Sequence, residues 1–424
     1  MARPMSTRAA SRASMRGPWR GKSGYKTKEE LMAESELAGM LLDGPGTCWT
    51  RDPLTIEAGH RLVNVGWLFT DGEFANEGQW INRANGVVRH QAYASNAGSL
   101  FNDGQYRSGF FRNAGRLMNR AAFEVNDFTN ASGGDLCNGG TFAHTRLVNE
   151  AGARVETCGT LVCRGGVVNA GEFLVSGRVD NEGSGWDAVP AAGGAIANSG
   201  GGRFTVTADG SVSGPGTYVQ TGAQSITRVD GTLAAGSIDI TGGQLAGAGM
   251  LTGVVGLSGV LVCPGDPRGT LTIDGDVFAE ETCFEIGLTA PGLCDRVAVT
   301  GSARFGAGVR VDFLIAAPEG PVPDSHTFAN TCFDWLDVAG RVEGLGGIAW
   351  RLVLIGQGGC TTLARSDAGP CRWGDLDISF HGTQISFGRP AGIMQGNLAS
   401  MAARGAASLT GFRTPGGPWT RLRD

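Results

Sequence analysis

Three acidic side chains, Asp274, Asp276 and Glu285, are the residues of this 424-residue chain best placed to do chemistry. In the run Leu271-Thr272-Ile273-Asp274-Gly275-Asp276 an extended backbone sends Leu271 and Ile273 to one face and Thr272, Asp274 and Asp276 to the other. Glu280, Glu281 and Glu285 follow closely. Carboxylates grouped on an outward face can act as general acid and base on a glycan, or hold calcium. An acid beside glycine is also the ordinary composition of a turn, and that plainer reading is preferred here. Nucleophilic catalysis has less support, because no Gly-x-Ser-x-Gly elbow precedes a helix. Gly247-Ala248-Gly249-Met250-Leu251-Thr252-Gly253 is a loose glycine-rich run without a helix whose amides could face a phosphate.

Ten cysteines form the second group: 48, 137, 158, 163, 263, 283, 294, 332, 360 and 371. No two are spaced CxxC and no histidine pattern accompanies them, so no metal site and no cofactor are expected. Cys137 with Cys158, and Cys263 with Cys283, are separated by close to one repeat of the pattern described next. They are therefore candidates to stack on neighbouring rungs, either bonded or as packed thiols.

These residues need elements to hold them, and glycine sets the terms: 71 of the residues are glycine, while 41% are hydrophobic and only 18% charged. A core can form, and disorder is excluded. Asn-x-Gly recurs along the chain. Taking Asn76, Asn96, Asn113, Asn130, Asn149 and Asn169 as one series, the steps of 17 to 20 residues are those of a solenoid coil. Between anchors lie short alternating pieces, such as Gly171-Glu172-Phe173-Leu174-Val175-Ser176-Gly177. Each is too short to bury a face alone, so each is expected to stack on the same strand of the next coil. The fold class is thus all-β, a single-stranded parallel β-helix over about 50–390. Asparagine suits its turns because it tolerates the left-handed conformation and can bond the asparagine one coil away as a turn ladder, and glycine supplies positive φ. Past residue 200 the turns become Gly-Gly, Asp-Gly and Gly-Ser while strands continue. Trp335, Trp350 and Trp373 are expected to plug the open end rather than to form a glycan platform.

Outside this region, residues 1–27 read as a basic leader, disordered or targeting; residues 1–28 carry Arg3, Arg8, Arg12, Arg16, Arg20, Lys22, Lys26 and Lys28 and no acid. Thr27-Lys28-Glu29-Glu30 spells a capping box, and Leu31, Leu37, Leu41 and Leu42 follow, predicting a short amphipathic helix over 28–42 within a capping segment 28–46. Residues 391–424 read as a flexible, disordered tail. The formal net charge is -5 despite the basic leader, so the body is acidic and nucleic acid is not the expected partner. No apolar run is long enough for a transmembrane segment.

The stretch Gly259-Val260-Leu261-Val262-Cys263-Pro264-Gly265-Asp266-Pro267-Arg268-Gly269-Thr270-Leu271-Thr272-Ile273-Asp274-Gly275 resembles a segment of autotransporter-type passenger domains and of related bacterial surface proteins with PEP-type sorting tails. Asp295-Arg296-Val297-Ala298-Val299-Thr300-Gly301 is similar to the strand that follows there, and Phe333-Asp334-Trp335-Leu336 through Gly347-Ile348-Ala349-Trp350 to a later aromatic-rich segment. Asp266 stands where that family usually has serine, and the chain shows neither an outer-membrane barrel nor a sorting tail. The resemblance implies a right-handed β-helix that is extracellular or displayed on a cell surface, non-catalytic, and in contact with surface glycans or proteins through its lateral face as an adhesin or structural protein. Parallel crossovers favour the same hand. The alternative is a polysaccharide lyase or glycoside hydrolase using Asp274, Asp276 and Glu285, on the same scaffold as pectate-lyase-like and phage tailspike enzymes. A second alternative, from the missing anchor, is a truncated remnant without function.

Overall fold

The structure, a computed structural model, describes residues 40–42, 47–182, 194–265, 269–290, 293–317, 325–356, 359–367 and 371–388. It is nearly all β and forms a parallel β-solenoid of about 11 turns. Two compact units divide the chain, residues 1–218 and 219–424.

In the first unit each coil has three faces. A four-residue strand forms the first, as in Ser99–Asn102, Arg116–Asn119 and Asp135–Asn138. A longer strand bent at its middle forms the second and third, as in Gln105–Asn113, Ala122–Asn130 and Thr141–Asn149. The strands lie parallel on their counterparts one coil away, Leu117 opposite Leu100 and Leu136, Phe123 opposite Tyr106 and Phe142, with register shifts at the bends after Ser108 and His144. Alternation explains the packing: in Arg116–Asn119 the second and fourth residues are buried and the first is exposed. Like residues then stack along the axis. The rings of Tyr106 and Phe123 lie 4.2 Å apart, and those of Phe123 and Phe142 lie 4.9 Å apart and within 5° of parallel.

In the second unit the first face comprises Ile226–Val229, Gln244–Gly247, Leu261–Pro264, Cys283–Ala290, Arg310–Ala317 and Ala349–Gly356. The other faces begin as long bent strands, Thr232–Thr241 and Met250–Ser258, and later break into separate pieces such as Thr270–Asp274 and Val277–Glu280. Its far end is antiparallel: Gly359–Arg365 pairs back on Ala349–Gly356, and Thr331–Asp334, Gln384–Gly388, Leu376–Phe380 and Arg372–Trp373 make a separate four-stranded sheet. Such pairing covers an edge that would otherwise template another chain. Trp335 is fully buried there, its rings 5.4 Å from Phe284 and 6.2 Å from Phe305, and its Nε1 donates to Gly382 O at 2.8 Å. Trp350 is buried and Trp373 half-buried.

Two expectations change. Met40–Leu42, assigned to the end of the short helix, is a strand parallel to Arg61–Asn64 with Met40 opposite Leu62; pairing with an open strand edge outweighs local helix preference. Residues 28–39 of that helix, the leader 1–27, the rest of the capping segment at 43–46 and the tail 391–424 lie outside the described residues. The second change concerns the Asn-x-Gly turns. Gly133, Gly152 and Gly200 do adopt positive φ, but Gly78, Gly98, Gly115 and Gly171 do not; at Gly98 an added Cβ would sit 2.0 Å from Gly78 O, and at Gly115 it would sit 2.1 Å from Gly98 O. Glycine is required because successive turns touch.

Candidate functional site

Asn76, Asn96, Asn113, Asn130, Asn149 and Asn169 end successive third-face strands and are all buried. Each Nδ2 donates to the Oδ1 of the next, at 2.6, 2.7, 2.8, 2.9 and 2.8 Å, and Asn169 passes the series on to Asn198 at 2.8 Å. The spare Nδ2 proton goes to a backbone carbonyl nearby, as from Asn113 to Gly115 O at 3.0 Å. Amides serve because each carries both donor and acceptor and can satisfy itself in a stack.

A second ladder, which the sequence series did not include, runs along the ends of the first face. Asn64, Asn82, Asn102, Asn119 and Asn138 are linked at 2.8, 2.7, 2.7 and 2.8 Å, and Asn138 ends it by donating to Thr157 Oγ1 at 3.0 Å. Its signal was present: these asparagines recur at steps of 17 to 20 residues, interleaved with the first series. The remaining corner is mixed. Thr70, His90, Ser108, Val125, His144, Cys163 and Asn181 follow one another in register, all buried. Thr70 Oγ1 bonds His90 Nδ1, whereas neither nitrogen of His144 has a partner. Burial pushes His90 down to about 3, and burial with the nearby Arg164 charge does the same to His144.

The cysteines are staggered rather than opposed. Cys137 faces Glu156, because the coil there takes 19 residues and Cys158 overshoots into the next turn. Cys283 faces Leu261, while Cys263 meets Glu285 after 22 residues, donating to its Oε2 at 3.5 Å. No described cysteine is in a disulfide. Burial first, then the Glu285 charge, pushes Cys263 up to about 12; burial first, then its bond to Asp312, pushes Cys283 up to about 12. Both are thiols at neutral pH and poor nucleophiles.

Around Cys283 lies an ionic cluster. Asp312 is fully buried and accepts two parallel bonds from Arg351, Nε at 2.6 Å and Nη2 at 2.7 Å, with Arg310 Nε at 3.1 Å and Cys283 Sγ at 3.2 Å. Burial alone would raise its carboxyl, but these donors hold it below the usual carboxylate range.

Leu271 and Ile273 point inward, and Asp274 and Asp276 outward. Both acids sit at the bend between Thr270–Asp274 and Val277–Glu280, whereas Glu285 belongs to a first-face strand. Asp274 Oδ1 accepts from Thr300 Oγ1 at 2.8 Å, and Asp276 Oδ1 accepts from the amide of Ser302 at 2.7 Å. Asp266 lies outside the described residues. Among the described residues no group of three His, Cys, Asp or Glu side chains could hold a metal ion, and no helix is long and apolar enough to cross a membrane.

Fold and side chains together define a parallel β-solenoid whose first unit is cornered by amide ladders. Compared with family models and with curated proteins, the chain matches none.

Proposed function

We propose that this protein is a non-catalytic structural protein, displayed extracellularly or on a cell surface, that adheres to glycans or proteins through its lateral faces in the manner of an autotransporter passenger. The observation that carries this reading is how the carboxylates best suited to catalysis are used. Asp274 and Asp276 each fasten one coil to the next at a bend, and Glu285 stands on another face with a thiol as its partner. Acids used in this way stabilise coil stacking and have no shared centre. Two buried ladders stiffen the first unit, and stiffness lets many weak lateral contacts add through avidity.

The test is to incubate the whole chain with acidic polysaccharides and measure reducing or unsaturated ends, alongside retention on glycan-coated and protein-coated surfaces. Retention without new ends is the expected result. Turnover that disappears in Asp274→Asn would establish the lyase or hydrolase alternative.

A further inference from the structure

Three exposed aromatic side chains among the described residues of the first unit lie on the two faces that meet at its mixed corner. Trp67 is 45% exposed, Tyr93 43% and Phe110 52%. Tyr93 and Phe110 are opposite each other on adjacent coils, close to the usual strand spacing of about 4.8 Å. Trp67 and Phe69 share a strand with ring centroids 5.8 Å apart. Arginines lie between them. Phe69, Arg89 and Arg107 are successive in register, and the Arg89 guanidinium lies 5.9 Å above the Phe69 ring. Arg107 approaches Glu124 at 3.7 Å, whereas none of the described ion pairs involves Arg89. Glu124 and Asp127 on the next coil bound the strip. Behind it lie the Thr70–His90 bond and a buried aromatic cluster in which Trp80 meets Tyr106 edge to face and Tyr106 stacks on Phe123.

We propose that this corner binds an acidic polysaccharide. The inference rests on the adhesive reading and names its ligand class. Flat ring faces accept the C–H faces of sugars, and guanidinium groups pair with uronate carboxylates. Two adjacent coils each present a ring and an arginine, Tyr93 with Arg89 and Phe110 with Arg107, which suits a short stretch of a polymer that repeats a ring and a charge. Two arginines are too few for a polyphosphate, whose binding is dominated by neutralising many phosphates at once, whereas ring faces can carry most of the contact with a sugar.

Binding of the full chain to immobilised polygalacturonate tests this, with neutral dextran and single-stranded DNA as comparison ligands. The variants are Tyr93→Ala with Phe110→Ala, Arg89→Gln, and Phe278→Ala, an aromatic 46% exposed in the second unit. Because the altered side chains are largely exposed, melting temperatures should stay close to that of the parent chain. Retention on polygalacturonate that weakens with salt, falls about tenfold or more in the double variant and in Arg89→Gln, and is unchanged in Phe278→Ala supports the assignment. Binding that is equal in the double variant, or stronger to dextran or DNA, overturns it. If the parent chain adheres to glycan-coated or protein-coated surfaces and the corner variants adhere equally, this assignment falls while the adhesive reading stands. No adhesion to any surface overturns both.

Discussion

The two units solve the same corner in different materials. In the first, the last inward residue of the third face is asparagine from Asn76 to Asn169; in the second, the comparable residues are Ile240, Leu257, Ala279 and Phe305, all buried. Amide corners require each coil to return to the same height: the steps from Asn76 to Asn169 are 17 to 20 residues, and a 29-residue step still brings Asn198 back to bond Asn169 at 2.8 Å. Apolar corners need only contact, which is non-directional. The second unit accordingly admits longer excursions, 39 residues separating Arg351 from its partner Asp312. Its polar fastening lies elsewhere, in the Asp312 cluster on the first face and in Asp274 and Asp276 at an outward bend. Directional bonding fixes the point to which each coil returns, and apolar packing fixes only that the coils touch.

The largest effect should come from Asn113→Leu. The substitution leaves Asn130 Oδ1 without its donor and removes the acceptor of Asn96, for a loss of about 3 kcal/mol confined to the first unit in chemical denaturation. An equal loss in the second unit would undo the contrast. Gly98→Ala should cost a similar or slightly smaller amount, about 2 to 3 kcal/mol, because its methyl group meets Gly78 O.

Acid separates the units next. His90 and His144 have native pKa values near 3, below the unfolded value of about 6.5, so folding favours their neutral forms. Their contribution is therefore complete above about pH 6.5 and is lost as the pH falls towards 3, about 2 to 3 kcal/mol for each by pH 4.5. His144→Leu, which removes a ring with no bonding partner, should flatten roughly half of that slope when melting is followed from pH 7 to 4.5. Asp312 runs in a lower window. Its native pKa is depressed, so its contribution is present above the unfolded value of about 3.9 and is lost as the pH falls below it. Arg351→Ala should weaken the second unit by about 2 kcal/mol at pH 7, discounted because the arginine is partly exposed, and should shrink the acid response below pH 4. The smallest effect is expected at Gly259→Ala: the position has φ +64 with nothing near an added Cβ, so only the left-handed backbone is penalised, by about 1 kcal/mol.

Much of this scaffold could be read in advance. The spacing of Asn76 through Asn169 marked the coil, and the alternation in Leu271–Ile273 marked the inward face, because both depend on period alone. The second ladder went unread because its Asn-x-Gly signature is broken: Asn64, Asn102 and Asn138 carry it, whereas Asn82 and Asn119 are each followed by Arg-Ala. The cysteine register was misjudged because a two-residue difference in coil length moves a side chain to the next outward position without changing its face. The aromatic corner could not be found from periodicity: Trp67, Tyr93 and Phe110 come from strands far apart in sequence, and only stacking brings them together.

The ladder also has a polarity. Every Nδ2 gives its proton towards the later coil, so the unit has a head and a tail, and at the head Asn76 Oδ1 is left without a donor because Ile56 occupies the position opposite. A coil bounded by two such asparagines offers an acceptor on one side and a donor on the other. It can therefore be duplicated or excised as a module with the seam healing itself, which makes the number of coils an easy quantity for selection to adjust.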